Sequence, residues 1–148
     1  MTDPANSPFA SAHAFQSTNI AEVLALIETR RNLADALEGA DWVQENAPEK
    51  LEVKRALWAE MEPLAAPETV LASSTSAIVP SLFTEGLAGR ARCLTAHPIN
   101  PPYLVPAVEL VPAPWTSAET MGRAETVMRL RDERADLVNR LTALIRSS

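Results

Sequence analysis

The chain has 148 residues, 47% of them apolar, which suits one domain with a modest core and is too short for two full ones. Thirteen basic residues against 19 acidic ones leave a formal charge of -6, which argues against nucleic acid or an anionic membrane as the main partner. A single cysteine, Cys93, excludes an intrachain disulfide and a thiolate metal cluster, so no metal site is expected and a reducing compartment follows.

Residues 1–16 mix Pro4, Asn6, Ser7 and Pro8 with small residues and show no sustained period, which predicts a flexible N-terminal tail. The first basic residue is Arg30 and no apolar run approaches about 18 residues, so neither a signal peptide nor a membrane span is expected and the protein is placed in the cytoplasm. Asn19 and Glu22 have capping-box spacing, and Ile20, Val23, Leu24 and Ile27 share one face. Leu33 and Leu37 continue that surface, so a helix is predicted from Asn19 to Leu37, bent at Arg30 and Arg31 and stopped by Gly39.

Asp41 to Asn46 is a short strand candidate that leaves an unpaired sheet edge, and Pro48 suits the first turn of a helix running to Leu64. On that helix Leu51, Trp58, Met61 and Ala65 form an apolar side, with Lys50, Glu52, Lys54 and Glu60 on a solvated one. Thr69 to Ser73 predicts a buried strand, followed by the hydroxyl run Ser73 to Ser76 and a short helix over Ser81 to Leu87. The hydroxyl run has two readings, a ligand-facing edge or a cap for the next helix. Alternating strands and helices through 17–116 predict an α/β domain with some parallel pairing. From Thr116, again with capping-box spacing to Glu119, one long helix is expected over 117–148. Its stripe of Val127, Leu130, Leu137, Leu141 and Leu144 needs a cover, either the Asn19 to Leu37 helix or a second copy of the chain, and a homodimer is the preferred expectation.

One pair of residues carries chemistry. His97 and Glu109 stand at the two ends of a proline-rich bridge through Asn100, Pro101, Pro102 and Pro106. If Arg92 to His97 and Ala107 to Val111 are neighbouring strands, the Glu109 carboxylate reaches one imidazole nitrogen and orients the ring. The other nitrogen can then take a proton from a substrate hydroxyl. A histidine near a strand end is also a common structural residue, and spacing alone leaves both readings open.

The run HPINPPYLVPAVELVPAPWT resembles the L-3-hydroxyacyl-CoA dehydrogenases, and especially their lambda-crystallin-like and carnitine-dehydrogenase-like relatives. LASSTS at Leu71 to Ser76 and GADWVQENAPEKLEVKRALW at Gly39 to Trp58 precede it in the same order as in that family, and the resemblance covers Asn32 to Thr126. It implies NAD as cofactor and His97 and Glu109 as a catalytic pair, with Ser76 and Asn139 near the reacting oxygen. By the same resemblance Asn100 falls at a substrate-site position, and Glu45, Glu49 and Lys54 fall around the nicotinamide. The implied reaction is NAD-linked oxidation of a 3-hydroxy group on a hydroxyacyl-CoA or hydroxy acid.

The four glycines, at 39, 86, 89 and 122, form no GxGxxG run, so the expected fold is a truncated Rossmann-like half-sheet of about four strands with flanking helices and a long C-terminal helix. A catalytically inactive remnant acting as a dimeric structural or interaction protein is the second expectation.

Overall fold

In a computed structural model of the protein, the residues described are 20–102, 104, 105 and 107–132. The chain divides into two compact units, Met1–Arg30 and Arg31–Ser148. In the first, α1 spans Ile20–Ala25. The predicted tail and the Asn19 end of the first capping box lie outside the described residues.

The single bent helix over Asn19 to Leu37 is corrected. Residues 26–32 are not helical, and a separate α2, Leu33–Leu37, begins after them. Its start is fixed locally, because the Asn32 side chain accepts the Asp35 backbone N–H at 2.8 Å, a helix cap of its own. Gly39 takes φ 70 at the turn that follows, a left-handed conformation that favours glycine.

The second unit holds a four-stranded mixed sheet with helices on both faces. In chain order come β1 (Trp42–Glu45), α3 (Leu51–Met61) running into a 3-10 turn at Glu62–Leu64, β2 (Val70–Ser73), α4 (Ser81–Thr84), β3 (Cys93–Pro98), β4 (Val108–Pro112) and α5 (Ala118–Asp132). The sheet order is β1-β2-β3-β4, with β1, β2 and β3 parallel and β4 antiparallel to β3. Among the described residues β1 pairs with β2 alone and forms one end of the sheet. Helix α3 starts at Leu51, so Pro48 stands before it rather than in its first turn.

Strand alternation divides the core between the two faces. Leu71 and Cys93 point to one side and pack with Leu37, Trp58, Met61, Ala65 and Phe83. Trp58 and Phe83 meet there with ring centroids 4.8 Å apart, a tilted aromatic contact. Burial pushes the Cys93 thiol up to about 12, which leaves it inert on its strand. Val70, Ala72, Leu94 and Ala96 point to the other side, where Ala124, Met121 and Met128 of α5 cover them.

The described part of α5 is therefore covered by the protein's own sheet, through Met121, Ala124 and Met128. The Leu130 side chain and everything from residue 133, including the rest of the predicted stripe and Asn139, lie outside the described residues. The cap of α5 is also corrected, from Thr116 to Ser117. Ser117 Oγ accepts the Thr120 N–H at 3.1 Å, while Thr116 Oγ1 donates to the Cys93 carbonyl at 2.6 Å and accepts from Ala113 N. Among the described residues no helix is long and apolar enough to cross a membrane.

Candidate active site at the carboxyl edge of the sheet

The sheet register puts the chemistry in one place. The ends of the parallel strands align as Glu45, Ser73 and Thr95 across β1, β2 and β3. His97 lies two residues farther along β3 on the same face and is the Cα partner of Glu109 on β4. The hairpin continues past the pair, since Ile99 N–H bonds the Ala107 carbonyl at 3.0 Å.

The expected pairing is present. His97 Nδ1 and Glu109 Oε2 are 3.0 Å apart, with His97 16% and Glu109 62% exposed. An ionised carboxylate can only accept, so this contact assigns a proton to Nδ1, and a neutral imidazole then presents the Nε2 lone pair. Ser76 is exposed in the loop after β2, and Asn100 is exposed just beyond β3, where the Asn100–Pro101 peptide bond is cis.

Glu45 and Lys54 form a buried cluster below this edge. Lys54 Nζ donates to both Glu45 oxygens at 3.0 Å and to Ser73 Oγ at 3.3 Å. Ser73 Oγ donates to Glu45 Oε2 at 2.6 Å, and Trp58 Nε1 donates to the same oxygen at 3.3 Å. Placing Lys54 on a solvated face is corrected, since it is 1% exposed. The helical period already implied this, because 51, 54, 58 and 61 fall on one side of α3. Glu45 and Lys54 thus spend their hydrogen bonds inside the protein, tying β1, α3 and β2 together beneath the edge.

Glu49 stands higher, 39% exposed, with Oε2 3.6 Å from Lys54 Nζ. Its other oxygen accepts from Thr75 Oγ1 at 2.5 Å, Ser76 N at 3.1 Å and Ala77 N at 3.0 Å. Desolvation is the largest single influence on Glu49 and pushes its pKa up. Thr75, Ala77, Lys54 and Ser76 together outweigh it and hold the carboxyl below its ordinary value.

Sequence reasoning missed Thr95 and named Ser73 and Thr75 only as members of the hydroxyl run. All three sit in strand ends or hydroxyl runs whose alternation turns every second side chain inward. Among the described residues Thr95 Oγ1 is the buried side-chain oxygen with no hydrogen-bond partner.

The fit of a dinucleotide can be judged from the donors at hand. A pyrophosphate needs close backbone approach at a glycine-rich strand-to-helix turn. Gly39 and Gly89 lie at the opposite, amino end of the strands, and Gly86 and Gly122 face open space away from any strand-to-helix turn. A cavity of about 340 Å³ lined by Glu62, Gly89 and Arg92 is at that far end as well. The described residues hold no pyrophosphate cradle.

A four-stranded mixed sheet with helices on both faces, and a histidine–carboxylate pair at the carboxyl edge of its parallel strands, defines a Rossmann-like α/β domain. Residues 5–136 match the family described as 3-hydroxyacyl-CoA dehydrogenase, NAD binding domain, and the chain belongs to that family, whose cofactor is NAD. It is 44% identical over 113 residues to lambda-crystallin of Oryctolagus cuniculus, covering 76% of this chain and 35% of that protein. It is 44% identical over 95 residues to the L-carnitine dehydrogenase/betainyl-CoA thioesterase of Rhizobium meliloti (strain 1021), covering 64% of this chain and 19% of that one. Among solved structures, 3-hydroxybutyryl-CoA dehydrogenase from Escherichia coli K12 superposes with a TM-score of 0.72 at 26% identity, covering 82% of this chain and 26% of that chain. FadB2 of M. tuberculosis gives 0.71 at 29% identity, covering 81% and 42%. The chain spans about a third of the length of the lambda-crystallins it matches.

Proposed function

We propose that this chain carries the proton-transfer part of an NAD-linked 3-hydroxyacyl-CoA or 3-hydroxy acid dehydrogenase site. The observation that carries the reading is the 3.0 Å contact between His97 Nδ1 and Glu109 Oε2 across the β3–β4 hairpin. Glu109 holds the ring in one tautomer, and His97 Nε2 takes the proton of the substrate's 3-hydroxyl. Ser76 and Asn100 stand at the same edge as hydrogen-bonding partners for the substrate, and the resemblance adds Asn139 to them. Glu49 is the member of the cofactor-side set that reaches solvent, with Glu45 and Lys54 supporting it from below. NAD, when bound, supplies the hydride acceptor.

A second reading, a catalytically inactive remnant with a structural or interaction role, is favoured by one observation. The 148 residues include no glycine-rich pyrophosphate turn. Each missing charge-assisted hydrogen bond is worth roughly 1.5–3 kcal/mol, so several together weaken NAD binding by orders of magnitude. Under either reading the proposal includes a cytoplasmic, homodimeric protein, which suits a lone buried thiol and a β1 edge that no other described strand pairs with.

Calorimetric titration with NAD and NADH, followed by NADH-dependent reduction of acetoacetyl-CoA, separates the two. Turnover that disappears in His97→Ala supports the dehydrogenase. Flat titrations and no turnover in the native chain leave the remnant.

A further inference from the structure

We propose that Thr75 and Glu49 form a clasp that positions Ser76, with Thr75 as a positioning residue of the site. This rests on the role proposed above for Ser76. Residues 74–80 connect β2 to α4 at the carboxyl edge of the sheet, and a loop there must be held still if it is to present a hydroxyl to a reacting oxygen.

The holding is done by one carboxylate oxygen. Glu49 Oε1 gathers the Thr75 hydroxyl and the backbone N–H groups of Ser76 and Ala77. Thr75 Oγ1 spends its only proton on that bond and accepts the Ile78 N–H at 3.0 Å, which leaves the hydroxyl no freedom to rotate. Thr75 itself is buried.

Ser76 is treated differently. Its backbone is pinned on both sides, its side chain is exposed, and its hydroxyl makes no hydrogen bond among the described residues. The loop thus fixes where the Ser76 hydroxyl is while leaving what it binds open. The clasp is anchored in turn, because the second Glu49 oxygen faces Lys54, and Lys54 is held by Glu45 at the end of β1. A line of contacts therefore runs from β1 through α3 to the loop after β2.

Hydrogen exchange by NMR on the full 148-residue chain tests the clasp. Thr75→Val keeps the shape and removes both bonds of the hydroxyl. The amides of Ser76, Ala77 and Ile78 should then exchange about tenfold faster, the scale of one lost hydrogen bond. Those of Val70 to Ser73 should be unchanged, and Thr75→Ser should restore the native rates. Unchanged exchange at Ser76 and Ala77 in Thr75→Val overturns the clasp.

Kinetics separate positioning from mere support. In NADH-dependent acetoacetyl-CoA reduction, Thr75→Val should lower kcat about tenfold, and Thr75→Ser should recover it. An equal loss in Thr75→Ser, or an effect on KM alone, overturns the positioning role. A native chain with no turnover sinks the proton-transfer reading of the site, and the clasp is then decided by the exchange rates.

Discussion

A lysine and a glutamate taken out of water together stand or fall as a unit. Lys54 is 1% exposed and donates to both oxygens of Glu45, which is buried as well. Removing one partner leaves the other charge buried and uncompensated, a change that costs about 3–5 kcal/mol. Lys54→Met should lower the unfolding free energy read from urea denaturation by an amount on that scale, and Lys54→Met combined with Glu45→Gln should recover much of it. A single variant as stable as the native chain would show the cluster to be open to water. At the site, His97 and Glu109 gain little from burial, since Glu109 is 62% exposed, so their 3.0 Å contact orients the ring more than it stabilises the fold.

Elements are joined at the amino end of the sheet by a second charged cluster. Arg92, just before β3, donates to the Ala66 carbonyl at 2.6 Å, the Glu62 carbonyl at 2.7 Å and Glu62 Oε1 at 2.9 Å. It thereby satisfies backbone groups around the end of α3 that the helix leaves unpaired. Gly89 makes this possible by close approach. Its N–H donates to Glu62 Oε1 at 3.0 Å, and a Cβ there would sit 2.3 Å from that oxygen and 2.7 Å from Arg92 Nε. Gly89→Ala should therefore cost about 1–3 kcal/mol, the usual range for overpacking. Gly86→Ala, which meets nothing within 4 Å, serves as the comparison in the same chemical denaturation series.

At the scale of the whole molecule the open question for the fold is the β1 edge. Val70 N bonds the Asp41 carbonyl at 3.1 Å and Ser74 N bonds the Glu45 carbonyl at 2.8 Å, so the odd residues of β1 face β2. The amides of Trp42 and Gln44 point the other way, toward whatever lies beyond the sheet. An edge of this kind invites pairing unless something covers it. Light scattering on the 16.0 kDa chain should accordingly find a species of twice that mass. A soluble monomer at high concentration would remove the homodimer from the proposal.

The sequence by itself determined the order of the four strands, the helices between them and the His97–Glu109 pair. These follow from short-range pattern: β-branched and apolar runs, punctuation by proline and glycine, and a hairpin whose length brings two numbered positions face to face. Tertiary structure decided the rest. Lys54 reads as a surface charge until Glu45 and Ser73 arrive from two other strands to meet it. Thr116 and Ser117 are equally good caps until the Cys93 carbonyl claims the first. The hydroxyl run after β2 offered a ligand edge or a helix cap, and only the carboxylate of Glu49, from a different loop, sets which hydroxyl is tied down and which is left free. In each case the deciding partner is distant in the chain, and a hydrogen bond between distant residues has no signature in local sequence until the fold brings its two ends together.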